Sequence, residues 1–348
     1  MTKLSNTQSL QTPHRLEEAA GYILFCQLDT GAIPWFPNGK LDPWDHVEAA
    51  MALNITGHTT QARQAWLWLF QQQNDDGSWF SNYLTPDPEQ PLNQFKKESN
   101  FIAYPATGVW HDYLITGDKQ QAKKSFPYIE KAIDLVVSWQ SEEGEILWAK
   151  SEQEQLAKDA LVTGCASTLR SLECAINLAN LLDAEKAHWV TTHKQLAYTL
   201  KNKPWRFDRT WESKQRFSMD WFYPVLSGAY SENEARTKIE SRWHEFYKAD
   251  LGCRCVNDHP WITIAESCEL TMALIAAGKK ETAFKLYNNL ARWQDTDGGY
   301  WTGYVYEDDA IWPEEKTSWT AAACILAADA LFHISPASTL FTTPAYVG

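Results

Sequence analysis

A chain of 348 residues, 44% hydrophobic and 22% charged, reads as globular with a sizeable core, and its length allows one large domain or two. A formal net charge of −13 argues against nucleic acid or an anionic membrane as partner, because both call for a basic surface. No apolar run is long enough to span a bilayer, and the opening "MTKLSNTQSLQTPHRLEEAA" lacks the apolar core of a secretory signal, so a cytoplasmic chain is expected.

The elements repeat along the chain. After a flexible start over residues 1–12, "HRLEEAAGYILFCQL" reads as an amphipathic helix closed by "CQLDTGAIPW". The same punctuation returns in "QNDDGSW", "WQSEEGEILW" and "WQDTDGGYW". Each has Gln, then Gly four residues on (Gln27/Gly31, Gln73/Gly77, Gln140/Gly144, Gln294/Gly298), then Trp35, Trp79, Trp148 or Trp301. The Gly is expected to stop the preceding helix, since it tolerates a left-handed backbone. Between these signals lie six helices rich in small residues: "DHVEAAMAL", "FIAYPATGVWHDYL", "VTGCASTLRSLECAINLANLL", "MDWFYPVLSGAY", "IAESCELTMALIAAG" and "SWTAAACILAADALF". Helices without a polar stripe are packed on all sides, whereas striped ones face water. Six alternations predict an all-α fold, one (α/α)6 toroid over residues 13–348, with six inner helices wrapped by outer ones.

Parallel inner helices gather their N-termini at one mouth. There the sequence places Asp42, Asp45 and His46; Glu98 and Asn100; Asp159; Arg216 and Asp220; Asp258, His259 and Glu266; and Glu314, Glu315 and Lys316. Trp35, Trp44, Trp221, Trp261, Trp312 and Trp319 stand beside them, part of an unusual total of 18 tryptophans. Any single carboxylate here can be a helix cap or a first-turn charge, and Asp42 before Pro43 reads as a cap. Asp45, Glu48 and Glu266 lie within segments suited to burial, where a carboxylate is costly without a partner or a task.

The Gln-Gly-Trp punctuation resembles the repeats of squalene and terpene cyclases and of protein prenyltransferase β subunits, which implies an α/α toroid. The chemistry departs from them. "YEDDA" (Glu307, Asp308, Asp309) is not the acidic motif of a squalene-type cyclase, and Cys255, Asp258 and His259 only loosely approach a prenyltransferase zinc site. "IPWFPNGKLDPWDHVEAAMAL", "FSMDWFYPVLSGA", "HPWITIAESCEL" and "YWTGYVYEDDAIWPEEKTSWTAAA" are similar to a bacterial group often labelled prenyltransferase-like. That second resemblance implies six-hairpin glycoside hydrolases of the methylmannose polysaccharide type.

A crowd of carboxylates, amides, histidines and tryptophans suits sugar hydroxyls and the apolar faces of pyranose rings better than it suits a carbocation. Glycoside hydrolysis needs two carboxyl groups, one protonated and one ionised. The expected pair is Asp45, ionised near a helix N-terminus, and Glu266, a proton donor raised by its apolar neighbours, with Asp220 in reserve. Trp44, Trp221, Trp261 and Trp319 are expected to stack on sugars, and His46, Asn100, Arg216, Tyr223, Asp258 and His259 to bind them. An oligosaccharide or polysaccharide is the expected partner. No cofactor and no metal is expected: "CRCVNDH", with Cys253, Cys255 and His259, lacks a second cysteine pair, and seven cysteines suit free thiols. An isoprenoid cyclase or transferase, a lyase using Tyr223 or Tyr304, and a non-catalytic sugar-binding toroid remain open on the residues alone.

Overall fold

Small-residue helices recur six times because each must pack on helices at both sides. The computed structural model describes residues 12–83 and 96–344. The expected flexible start therefore lies, apart from Thr12, outside the described residues.

In chain order the structure contains α1 (Leu16–Cys26), α2 (Pro43–Ile55), α3 (Thr59–Gln71), α4 (Ser99–Ala103), α5 (Pro105–Thr116), α6 (Lys119–Ser138) and α7 (Val162–Leu181). Then come α8 (Ala187–Asn202), α9 (Ser218–Leu226), α10 (Glu232–Ser241), α11 (Trp243–Phe246), α12 (Ile264–Ala276), α13 (Lys280–Leu290) and α14 (Ser318–Phe332). Pro105, one residue beyond the end of α4, opens α5, so the second small-residue helix is built from two pieces joined at Tyr104. Packing runs from α2 to α5, α7, α9, α12 and α14, and α14 returns to α2. Against them lie α1, α3, α6, α8, α10 and α13. Every residue of α2 is buried, whereas α6 buries only a stripe at helical spacing, from Ala122 to Val136.

The Gln-Gly punctuation has a use that periodicity does not reveal. Each Gln side chain donates both to the carbonyl of its own Gly and to a carbonyl near the next outer helix. Gln27 reaches Gln61, Gln73 reaches Tyr128, Gln140 reaches Thr192, and Gln294 reaches Arg15 beside α1. The glycines are not the helix stops. α1 already ends at Cys26, and Gly31 sits in the following turn with φ of +94°, pressed on α3 so closely that a Cβ would stand 2.3 Å from the Gln64 carbonyl oxygen.

Short strands depart from the all-α expectation. β1 (Lys97–Glu98) pairs with β2 (Ala149–Lys150), and β3 (Tyr247–Lys248), β4 (Gly252–Arg254), β5 (Trp261–Thr263), β6 (Gly303–Val305) and β7 (Ala310–Ile311) form an antiparallel meander. β5 runs straight into α12, so this sheet rims the end of the inner helices where the carboxylates gather. Strands of two or three residues are too short for a period-2 pattern to show.

Candidate active site

Asp42 caps α2: its carboxylate accepts the Asp45 backbone N–H at 3.0 Å and the Trp35 indole N–H at 2.9 Å, with Pro43 at the first helical position. One turn on stands Asp45, and three residues further Glu48. α12 repeats this spacing with Glu266 and Glu269. Side chains three apart lie one above the other on a helix, so two inner helices each carry an outer and an inner carboxyl group. Exposure separates the layers: Asp45 retains 7% and Glu266 9%, against 3% for Glu48 and 2% for Glu269.

The inner layer is an anchor. Glu48 accepts the indole N–H of Trp44 (2.8 Å), the hydroxyl of Tyr104 (2.6 Å) and the indole N–H of Trp319 (2.8 Å), donors from α2, the α4–α5 junction and α14. Burial raises its pKa and these three donors oppose the rise. Glu269 has no such set, and burial with the nearby Glu48 and Glu266 charges drives its carboxyl well up.

The outer layer departs from one expectation. Asp45 was expected to stay ionised, but burial, Asp42 and Glu48 all push its carboxyl well above the usual range, opposed by Lys40. Glu266 is raised too, by burial foremost, with the Cys255 thiol beside it lowering it. It lines a cavity of about 230 Å³ between α7, α9 and α12, walled by Leu161, Thr163, Phe217, Met219 and Asp220. Asp220 thus reaches the same cavity, with its pKa raised to about 6 by burial and by Asp208.

Other expected residues divide. Trp44 and Trp319 reach the centre, but through their N–H groups on Glu48, and Trp44 stacks on Tyr104 at 4.7 Å and lies 5.4 Å from the buried Tyr223. Asn100 is buried on α4, and its Oδ1 has no hydrogen-bond partner. Arg216 and Asp258 pair with each other at the rim, at 2.9 Å, and His259 is exposed next to them. Trp261 stands on β5, donating to the Trp312 carbonyl at 2.8 Å.

Two expectations are overturned. His46 is fully buried away from the mouth, where its Nδ1 accepts from Ile33 N–H and its Nε2 donates to the Ala65 carbonyl of α3; burial lowers its pKa to about 4. It joins an inner to an outer helix as a neutral ring. Trp221 likewise turns outward, stacked on Phe246 at 5.1 Å with its N–H on the Lys238 carbonyl of α10. Asp159 is also structural, accepting from Arg209 and Thr210.

Glu269 and Tyr104 are site residues that the sequence alone does not single out. The repeat of the Asp45–Glu48 spacing in Glu266–Glu269 was the available signal for the first; nothing in the sequence pointed Tyr104 at Glu48. Tyr304 bonds Asp309 on the surface, and Glu307 to Asp309 lie in the exposed turn between β6 and β7. Among the described residues no group of three His, Cys, Asp or Glu side chains is placed to hold a metal ion, all seven cysteines are free, and no helix is long and apolar enough to cross a membrane.

No protein-family model matches the chain. It is 43% identical to an MMP endo-(1,4)-3-O-methyl-alpha-D-mannosidase of Mycolicibacterium hassiacum over 333 residues, 95% of this chain and 89% of that one. The chain belongs to that mannosidase family. It is therefore a glycoside hydrolase, as the second sequence resemblance implies. Solved structures share the fold at low identity. A wild-type glycosidase aligns with TM-score 0.71 at 14% identity, covering 92% of this chain and 97% of that one. A D-mannose isomerase aligns at 0.64 and 15%, covering 90% and 95%. For this glycosidase family, the layered carboxylates on α2 and α12 are the natural place to look for the reacting groups.

Proposed function

We propose that this chain is an endo-acting, inverting hydrolase of an α-(1→4)-linked 3-O-methylmannose polysaccharide inside the cell, its residues 13–348 forming one closed (α/α)6 catalytic domain. The observation that carries the reading is the outer carboxyl pair, Asp45 and Glu266, each in the first turn of an inner helix and slightly more exposed than the carboxylate one turn deeper. The relative's name supplies the substrate class.

The environments divide the work. Asp45 shares its surroundings with Asp42, Glu48 and Glu269, and one lysine cannot balance them all, so Asp45 holds a proton. Burial raises Glu266 as well, while the Thr263 and Cys255 side chains oppose the rise, and we assign it the role of base. Asp45 then gives its proton to the glycosidic oxygen while Glu266 takes one from the water that attacks the anomeric carbon on the opposite face. The bond to the leaving sugar breaks as the bond to water forms. The two carboxyl groups come from different inner helices, α2 and α12, each packed against α14, and an inverting pair needs room for a water between base and sugar.

The test is to incubate the enzyme with 3-O-methylated and unmethylated α-(1→4)-mannooligosaccharides and follow products by mass spectrometry and the first anomer by proton NMR. Internal cleavage of the methylated chain with the β-anomer appearing first is the expected result. Absence of cleavage sinks the substrate, and an initial α-anomer sinks the inverting course.

A further inference from the structure

We infer that a second cavity, walled by Trp148 and Trp211, is a distal subsite that grips the methylated mannan several sugars away from the bond being cut. This rests on the substrate reading above.

The cavity measures about 630 Å³ and is bounded by the loop that leads into α7 and by the loop that leads into α9. Those two loops also wall the cavity that holds Glu266: the first contributes Lys158 to one cavity and Leu161 to the other, the second Trp211 to one and Lys214 to the other. Only two residues lie between the members of each pair, so the same two loops border both cavities. A polymer cut internally has to extend beyond the cleaved bond, and the shared loops set the second cavity beside the one that holds Glu266.

The walls are held rigid by buried charge. Asp159, fully buried, accepts from the Thr210 backbone N–H (2.6 Å) and hydroxyl (3.1 Å) and from Arg209. Glu145, also fully buried, accepts from Arg206 and Arg209, so the second loop is pinned to the first at three positions. Asp208 takes the Trp211 indole N–H at 2.7 Å and the Lys214 backbone N–H at 2.7 Å. The Trp211 edge is thereby satisfied within the protein, and the ring keeps one orientation.

The lining matches a methylated sugar. Trp211 meets Trp148 edge to face at 5.6 Å, and Lys96 covers Trp148 at 3.6 Å, leaving Trp211 as the aromatic wall for an O-methyl group or the C–H face of a pyranose. Gln153, Gln155 and Ser151 line the same cavity and suit neutral hydroxyls. Lys96 is paired with Glu98 at 3.1 Å, and Lys158 shares the lining with Glu152, so no strong charge is presented for an anion.

A contact remote from the reacting bond holds a long chain by raising its effective concentration at the carboxylates and does nothing for a short one. The experiment compares wild type with Trp211→Ala and Gln155→Ala on two probes, an α-(1→4)-linked 3-O-methylmannose tetrasaccharide and the corresponding dodecasaccharide. Trp211→Phe covers the case in which the alanine variant does not fold, as judged by its melting temperature. Expected is a rise in KM for the dodecasaccharide of about tenfold for Trp211→Ala, smaller for Trp211→Phe and Gln155→Ala, with kcat held and the tetrasaccharide kinetics unchanged. Equal losses on both probes, or no loss on either, overturn the distal subsite while leaving the substrate reading intact. A wild-type enzyme that cleaves neither probe overturns the substrate reading, and the subsite with it.

Discussion

The indole N–H of Trp319, near the start of α14, donates to Glu48 Oε2 on α2 at 2.8 Å. With Trp44 and Tyr104 on the other oxygen, both oxygens of a buried carboxylate are held by fixed donors. Glu48→Gln replaces one acceptor with an NH2 group facing a donor, and a mispaired buried polar group costs about 1–3 kcal/mol. The variant is expected to melt at lower temperature and to turn over more slowly, because the field under Asp45 changes. Thermal melts beside steady-state rates check it; an unchanged melting temperature contradicts the anchor role.

The proposed roles of Asp45 and Glu266 separate by leaving group. Asp45→Asn is expected to slow cleavage of the methylated mannan by about 10²–10⁴-fold yet retain most of its rate on an aryl glycoside whose phenol leaves without protonation. Glu266→Gln is expected to fail on both and to recover in azide, which needs no base. The reverse pattern exchanges the two roles.

Lys40 is the cation that holds the Asp45 pKa down. Lys40→Met is expected to raise that pKa and shift the alkaline limb of the kcat/KM profile to higher pH, since the proton donor then survives further. A limb that moves down or stays in place argues that another group is the acid.

Gly298 sits at φ +88° with a Cβ position 2.1 Å from the Glu18 carbonyl oxygen, whereas at Gly57, φ +83°, nothing lies within 4 Å. Gly57→Ala is expected to cost about 1 kcal/mol for its backbone alone. Gly298→Ala adds a collision between α1 and the turn after α13 and is expected to exceed about 3 kcal/mol. Denaturant unfolding of the two variants tests whether that junction carries stability.

Buried histidines make stability fall on the acid side. His14, His46 and His193 have pKa values lowered by burial to about 4 from an ordinary 6.5. The unfolded chain binds protons at these rings near pH 6.5 and the native one does not until about 4, so stability present above 6.5 is lost as pH falls through that window. The buried His46 alone accounts for roughly 3 kcal/mol. Asp220, raised to about 6, works the opposite way: its protonated form favours the native state, and that contribution is lost as pH rises from 3.8 through 6. Asp220→Asn should therefore stabilise the protein above pH 6 and change little below 4. Melting temperatures across pH 4–8 for wild type, His46→Asn and Asp220→Asn measure both effects.

Much of the architecture was legible in the chain itself. Six small-residue segments are six buried helices because a helix without a polar stripe has nowhere else to go, and the cap at Asp42 follows from its place before Pro43. The carboxylates of Asp45 and Glu266 were legible as anomalies, charges inside segments built for burial. The distal aromatic wall was not, because Trp211 lies in a loop whose course depends on Asp159 and Glu145 far from it in sequence.

The sequence by itself determined the alternation of helices, the Gln-Gly spacing and the family the chain resembles, since these depend on local periodicity and composition. Only the tertiary structure decided which way each side chain points. Successive residues on a helix are about 100° apart, so Asp45 turns to the centre while His46, next to it, turns to α3. Which protons are held was decided there too, because the Asp45 pKa depends on Asp42, Glu48 and Glu269 standing together, and Glu269 reaches them from the other end of the chain.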